Sequence, residues 1–257
     1  MSPLTSSPTF VVGAAHHVGL VRANDEDAHL AGTHVLVVAD GMGGHSAGDV
    51  ASRLVVEEFA RLADAVRTPA EVDAQVKGAL AAAQARLRRY VDAQPEESGV
   101  RYAGTTVVAA LRMTTDRGLA WCVSHLGDSR AYLLDPTLDP TRDGALRQVT
   151  RDHSVVEELV RQGLISESEA AVHPERHVVT RALGVRELPE VDVTVHPCGP
   201  GTRLVLCSDG ASGVLGPEEF ASLAAAGRPQ EAADALVAAV LSAGAPDNVT
   251  VVVSDVV

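Results

Sequence analysis

Val35-Leu36-Val37-Val38-Ala39-Asp40-Gly41-Met42-Gly43-Gly44-His45 is the stretch whose reading decides the fold of this chain. Its five opening apolar residues, three of them valine, read as a strand buried on both faces. They run directly into an aspartate followed by three glycines within four positions, which puts a carboxylate at the mouth of a core strand. Glycines there let other backbone approach closely, and a carboxylate so placed needs a metal, another cation or a set of amide donors. Leu204-Val205-Leu206-Cys207 leads into Ser208-Asp209-Gly210 in the same way. Two core strands that each deliver an Asp-Gly predict one shared site.

Outward from these strands the pattern alternates between strand and helix. Residues 10–15 predict a first strand, followed by a polar loop dense in carboxylates from Gly19 to Asp27. Ser46 can cap a helix over 47–63. Thr68-Pro69-Ala70-Glu71 is a capping box with proline at the first helical position, and it opens a long helix with Val72, Val76, Leu80, Ala83, Leu87 and Val91 on one face. From Gly104 on, residues 105–111, 119–126 and 130–134 form a meander of short strands, so the sheet is mainly antiparallel. A turn-rich loop over 135–144 leads to a short strand at 146–149. Ser154 and Ser166 head two more capping boxes, and a His/Arg-rich segment over 173–181 follows; few large apolar residues anchor this insertion, so it is expected to be mobile. Strands at 191–195 and 204–207, helices at 217–223 and 229–243 and a strand at 249–253 complete the chain.

With 257 residues, 46% of them hydrophobic, the chain can bury one large core and is expected to be a single domain. A net charge of −13 disfavours a non-specific hold on nucleic acid or an anionic membrane. The three cysteines form no CxxC pair and are odd in number, which predicts free thiols and a reducing compartment. Residues 1–8 lack an apolar signal core, and no later run reaches the length of a membrane span. A cytoplasmic protein with an unstructured tail over 1–9 is expected.

Five carboxylates stand at strand ends or in glycine-bearing turns: Glu26, Asp40, Asp128, Asp209 and Asp247. Taken singly, each has an ordinary reading. An Asp-Gly after a strand is usually a turn, Asp128 could close a hairpin, Asp247-Asn248 could open one, and Glu26 could simply be solvated. Brought together without cations they would repel strongly, so their joint occurrence points to hard divalent ions. All-oxygen ligands favour magnesium or manganese over zinc. Two such ions, about 3.5–4 Å apart, can bridge a water, lower its pKa and clamp an in-line displacement at phosphorus. Arg22 is the candidate to hold the phosphoryl oxygens, because its planar fork pairs with them bidentately.

Arg22-Ala23-Asn24-Asp25-Glu26-Asp27, Ala39 to His45, Gly104-Thr105-Thr106, Gly127-Asp128-Ser129-Arg130, Asp152-His153-Ser154, Ser208-Asp209-Gly210 and Asp247-Asn248-Val249-Thr250 stand in the order found in one family. The chain resembles the metal-dependent protein phosphatases (PPM, type 2C serine/threonine phosphatases), in the bacterial form that opposes Ser/Thr kinases. The resemblance implies an α+β fold, a four-layer α-β-β-α sandwich of two mainly antiparallel sheets flanked by helix pairs. It implies one catalytic domain over 10–257 with a flap over 153–181. One manganese or magnesium ion would lie on Asp40, Asp209 and Asp247, a second on Glu26, Asp40 and the Gly41 carbonyl, and a third on Asp128 and Asp209. Arg22 would bind the substrate phosphate, and Asp40 and Asp209 would hold the ions that activate a bridging hydroxide, with no phosphoenzyme. Met42 stands where eukaryotic members carry a histidine proposed as general acid, which leaves His45 or a metal-bound water as candidate proton donor. His177 stands in the flap where serine or asparagine is expected. The implied partners are phosphorylated proteins, Ser/Thr kinases and their targets, met by a monomer.

Three other readings compete. A dinucleotide fold fails because Gly41-Met42-Gly43-Gly44-His45-Ser46 ends in serine where the third glycine belongs, and Asp40 would repel a pyrophosphate. A non-catalytic binding module is opposed by the complete set of acids. A phosphatase of the same scaffold acting on a phosphorylated anti-sigma-factor antagonist stays open.

Overall fold

Along β3 (Val35–Met42) successive side chains serve two different cores. Val35, Val37 and Ala39 pack with α1 (Ala47–Ala60) and α2 (Pro69–Asp92), whereas Leu36 and Val38 face a second sheet. A strand used on both faces has no room for polar residues, which is why this stretch is continuously apolar. The computed structural model describes residues 8–43, 47–63, 66–98, 100, 102–135 and 146–257.

Two sheets lie face to face. The first orders β2 (Asp27–Ala31), β3, β5 (Val107–Thr115), β6 (Gly118–Leu126) and β9 (Asp192–Pro197), with β4 (Gly104–Thr105) paired onto β3. The second orders β1 (Phe10–His17), β11 (Val249–Val256), β10 (Arg203–Cys207), β7 (Arg130–Leu134) and β8 (Arg147–Gln148). Among the described residues every pairing between these strands is antiparallel. Between the sheets Leu36, Val38, Val108, Trp121, Leu204, Leu206 and Val252 form a dry layer, with Phe10 edge-on to Trp121 at 5.3 Å. α5 (Asp209–Ser212), α6 (Pro217–Ala225) and α7 (Pro229–Ser242) cover the outer face of the second sheet, with Phe220 and Leu236 packed on Val205, Val251 and Val253. The expected four-layer sandwich is therefore the observed one.

α3 (Val155–Arg161) and α4 (Glu167–Ala170) belong to an excursion between β8 and β9. Its two ends meet, since Ser154 bridges to Val179 and the Val155 N–H donates to the Val178 carbonyl at 2.9 Å. The capping boxes at Thr68 and Ser166 form as expected; Ser154 accepts from the Glu157 N–H without the reciprocal bond.

Several expectations need correction. β2 takes over where the expected loop ends at Asp27, over residues for which no strand was expected, because a half-buried edge strand reading Asp-Ala-His-Leu-Ala carries no run of β-branched residues. α5 is a single turn, too short for helical periodicity to reveal. Thr9, expected in an unstructured tail, exchanges two backbone hydrogen bonds with Val257, at 2.9 and 2.8 Å. The rest of that tail through residue 7, the Ser46 cap and most of the 135–144 loop lie outside the described residues. Among the described residues no helix is long and apolar enough to cross a membrane.

Leu36 is fully buried in the layer between the sheets. Leu36→Ala should cost about 2–5 kcal/mol in urea unfolding, and a loss below about 1 kcal/mol would mean that this layer is not close-packed.

Candidate active site

Strand parity carries Asp40 into the space between the sheets. Leu36 and Val38 point inward, so Asp40, two positions on, does the same. The register places Asp27 of β2 directly opposite Asp40, on the same face. There the apolar layer gives way to a cavity of about 860 Å³ lined by Arg22, Glu26, Asp40, Gly41, Asp128, Asp209 and Asp247. The structure thus brings together every expected site residue that it describes; His45 lies outside the described residues.

Hydrogen bonds explain how such distant segments hold their places. The Asn248 side chain accepts from the Glu26 N–H at 2.9 Å and donates to the Val18 and Asn24 carbonyls at 2.8 and 2.9 Å, strapping the acidic loop to the start of β11. The Asp40 N–H donates to Thr106 Oγ1 at 3.1 Å, and its carbonyl accepts from the Thr106 N–H and Thr105 Oγ1, each at 2.9 Å. Thr106 also meets Ser129 at 2.7 Å, which links Asp40 to the turn that presents Asp128. Gly127 in that turn has φ +102°, a backbone region that glycine enters without strain. At Gly41 a Cβ would lie 2.2 Å from the Gly48 carbonyl oxygen and 2.5 Å from that of Glu26, so only glycine lets these three segments converge. Arg130 forks onto Asp152 at 2.7–3.1 Å on the far side of the same turn.

The carboxylates are under mutual strain. Burial, then the charges of Asp27, Asp209, Asp128 and Asp247, hold the Asp40 carboxyl well above the usual carboxylate range. Burial also pushes Asp128 up to about 7, with Asp209 and Asp152 adding to it. Asp27 reaches about 7 through burial, against the hydrogen bond from Ser208. Glu26 is raised by burial and by Asp49. For Asp209 burial acts upward, but the facing His177 imidazole and the neighbouring Asp40 carboxyl outweigh it and hold the group low. His177 Nδ1 lies 3.7 Å from Asp209, and that partner raises the imidazole. Arg22 donates to Asp247 at 2.7 Å, which orients its guanidinium over the cavity mouth. A buried set of oxygen donors that must otherwise hold protons fits hard divalent cations such as magnesium or manganese.

Three participants had no role assigned from sequence. Asp27 stands in the acidic loop motif, but only the pairing of β2 with β3 sets it against Asp40. Asn248 and Thr106 lie in recognisable motifs whose function as straps depends on partners more than sixty positions away.

A four-layer sandwich whose two sheets deliver carboxylates to one cavity beside an arginine is the architecture of the metal-dependent protein phosphatases. Residues 13–248 match the family model for Protein phosphatase 2C, and the chain belongs to that family. It is 41% identical over 239 residues to the serine/threonine protein phosphatase PstP of Mycobacterium tuberculosis; the match covers 93% of this chain and 43% of the relative, so the chain spans less than half of that protein's length. It is 35% identical over 221 residues to the serine/threonine phosphatase stp of Listeria welshimeri, covering 84% of this chain and 82% of the relative. The crystal structure of the catalytic domain of PstP in complex with two manganese ions superposes with a TM-score of 0.81 at 37% identity, covering 98% of this chain and all of that one.

A carboxyl held near 7 in the fold, as Asp128 is, stabilises the fold below the ordinary carboxylate pKa and loses that contribution as pH rises through about 7. Metal-free protein should therefore melt at a lower temperature at about pH 8 than at about pH 5, and added Mn²⁺ should raise Tm more at the higher pH. Equal increments at both pH values in a thermal melt would rule out this coupling.

Proposed function

We propose that this chain is a metal-dependent phosphatase that hydrolyses phosphoserine and phosphothreonine in proteins. The observation that carries the reading is the convergence of Glu26, Asp40, Asp128, Asp209 and Asp247 on one cavity with Arg22 at its mouth. Family membership and the names of the relatives support it. Asp40, Asp209 and Asp247 would hold one manganese or magnesium ion, Glu26, Asp40 and the Gly41 carbonyl a second, and Asp128 with Asp209 a third. When bound, such ions supply an activated water and the positive charge that offsets the phosphoryl oxygens. Arg22, oriented by Asp247, takes the phosphate oxygens of the substrate and sets the phosphorus in line. His45 is the proposed proton donor to the leaving hydroxyl, and a His45→Gln variant with undiminished kcat would remove it from that role.

The same reading takes residues 10–257 as one catalytic domain with a flap over 153–181. It also takes the protein as a cytoplasmic monomer, with Ser/Thr kinases and their phosphorylated targets as substrates.

Phosphate release from a phosphothreonine peptide should require Mn²⁺ or Mg²⁺ and stop with a chelator. Asp40→Asn and Asp209→Asn should each lower kcat by about a hundredfold or more. Arg22→Ala should raise KM about tenfold with a much smaller change in kcat. A wild-type protein silent under all these metals would overturn the assignment, and an unchanged KM in Arg22→Ala would release Arg22 from phosphate binding.

A further inference from the structure

One residue joins the excursion that carries α3 and α4 to the turn that presents Asp128. The His153 N–H donates to the Gly127 carbonyl at 2.9 Å, and the Gly127 N–H donates back to His153 Nδ1 at 3.1 Å. The His153 carbonyl accepts from the Thr180 N–H, on the returning limb, at 2.8 Å. Because Nδ1 is an acceptor, Nε2 carries the ring proton; it lies 3.3 Å from Asp192 Oδ2, at the start of β9, and 3.4 Å from Arg181 Nη1. His153 is only 7% exposed, and its ring stacks on His125 with centroids 4.6 Å apart.

His125, His153 and Asp192 offer ligand atoms within 4.8 Å of one another, a spacing that could suit a metal ion. The bonding argues otherwise. Both nitrogens of His153 are engaged, His125 Nε2 meets the Arg151 carbonyl at 2.7 Å, and the Arg181 guanidinium already stands 3.1 Å from Asp192 as its cation. The cluster is a structural tie.

What it ties lies on both sides of the catalytic cavity. Gly127 immediately precedes Asp128, and the returning limb places Arg176, His177 and Val178 in the cavity wall, with His177 beside Asp209. We propose that His153 is a positioning residue that locks this limb to the Asp128 turn, so that acid and wall keep one fixed relation. An imidazole suits the task because one ring accepts from the turn while its other edge faces the Asp192–Arg181 pair. An asparagine Oδ1 falls near the place of Nδ1 and keeps the Gly127 bond; a glutamine amide falls near Nε2, beside the Asp192–Arg181 pair, and loses the Gly127 bond.

Hydrogen exchange of the metal-free protein tests this without reference to activity. In His153→Ala and His153→Gln the amides of Asp128, Ser129 and Thr180 should exchange about tenfold faster than in the wild type, and His153→Asn should recover most of the protection. The kinetic arm rests on the phosphatase reading: with Mn²⁺, His153→Ala should lose about tenfold in kcat on a phosphothreonine peptide, partly restored in His153→Asn. If His153→Ala does not fold, the comparison of Asn with Gln decides. Wild-type exchange rates in a folded His153→Ala, or equal protection in Asn and Gln, would overturn the proposal. An inactive wild type with the expected exchange pattern would instead overturn the phosphatase reading alone.

Discussion

Like charges converge where a dry core ends, and the architecture answers to that constraint. Asp27 and Asp40 face each other across adjacent strands, and Asp209, Asp128 and Asp247 add charge from the other side of the cavity. At the low effective dielectric of a buried site, such a group must hold protons or cations. The acids cannot relax apart, because Asn248, Thr105 and Thr106 bind the backbone of the segments that carry them. Repulsion among the side chains is thus held in place by hydrogen bonds among the main chains.

The sandwich makes this arrangement possible because strands from two sheets end together. β3 delivers Asp40, β10 runs into Asp209, β11 begins after Asp247, and the turn between β6 and β7 presents Asp128. Ser208 donates to Asp27 at 2.8 Å across the gap, so the sheets are joined at the site by a polar contact and elsewhere by apolar packing. Strand ends fixed by a large apolar layer hold geometry better than free loops, which suits chemistry that depends on the placement of several charges at once. The excursion around α3 and α4 is the part least supported by that layer, with no buried residue in either helix, and its tie at His153 takes the place of a core.

Much of this was legible in the residues. Continuous apolar runs at Val35–Ala39 and Leu204–Cys207 marked strands buried on both faces, and the Thr68 and Ser166 capping boxes marked helix starts, because these signals are local. The acids of the site were legible as a set because each stands in a short motif whose order along the chain is characteristic. β2 and α5 were not legible, since an edge strand and a single helical turn leave almost no periodic trace.

The chain itself therefore determined which side chains would make up the candidate site and which stretches would form its core. Their relations in space belonged to tertiary structure: the register that sets Asp27 against Asp40, the reach of Asn248 back to Val18 and Asn24, and the four-way tie at His153. Each joins residues whose separation along the chain says nothing of their distance. Strand pairing and sheet packing decide such contacts, and those are settled only when the whole core closes.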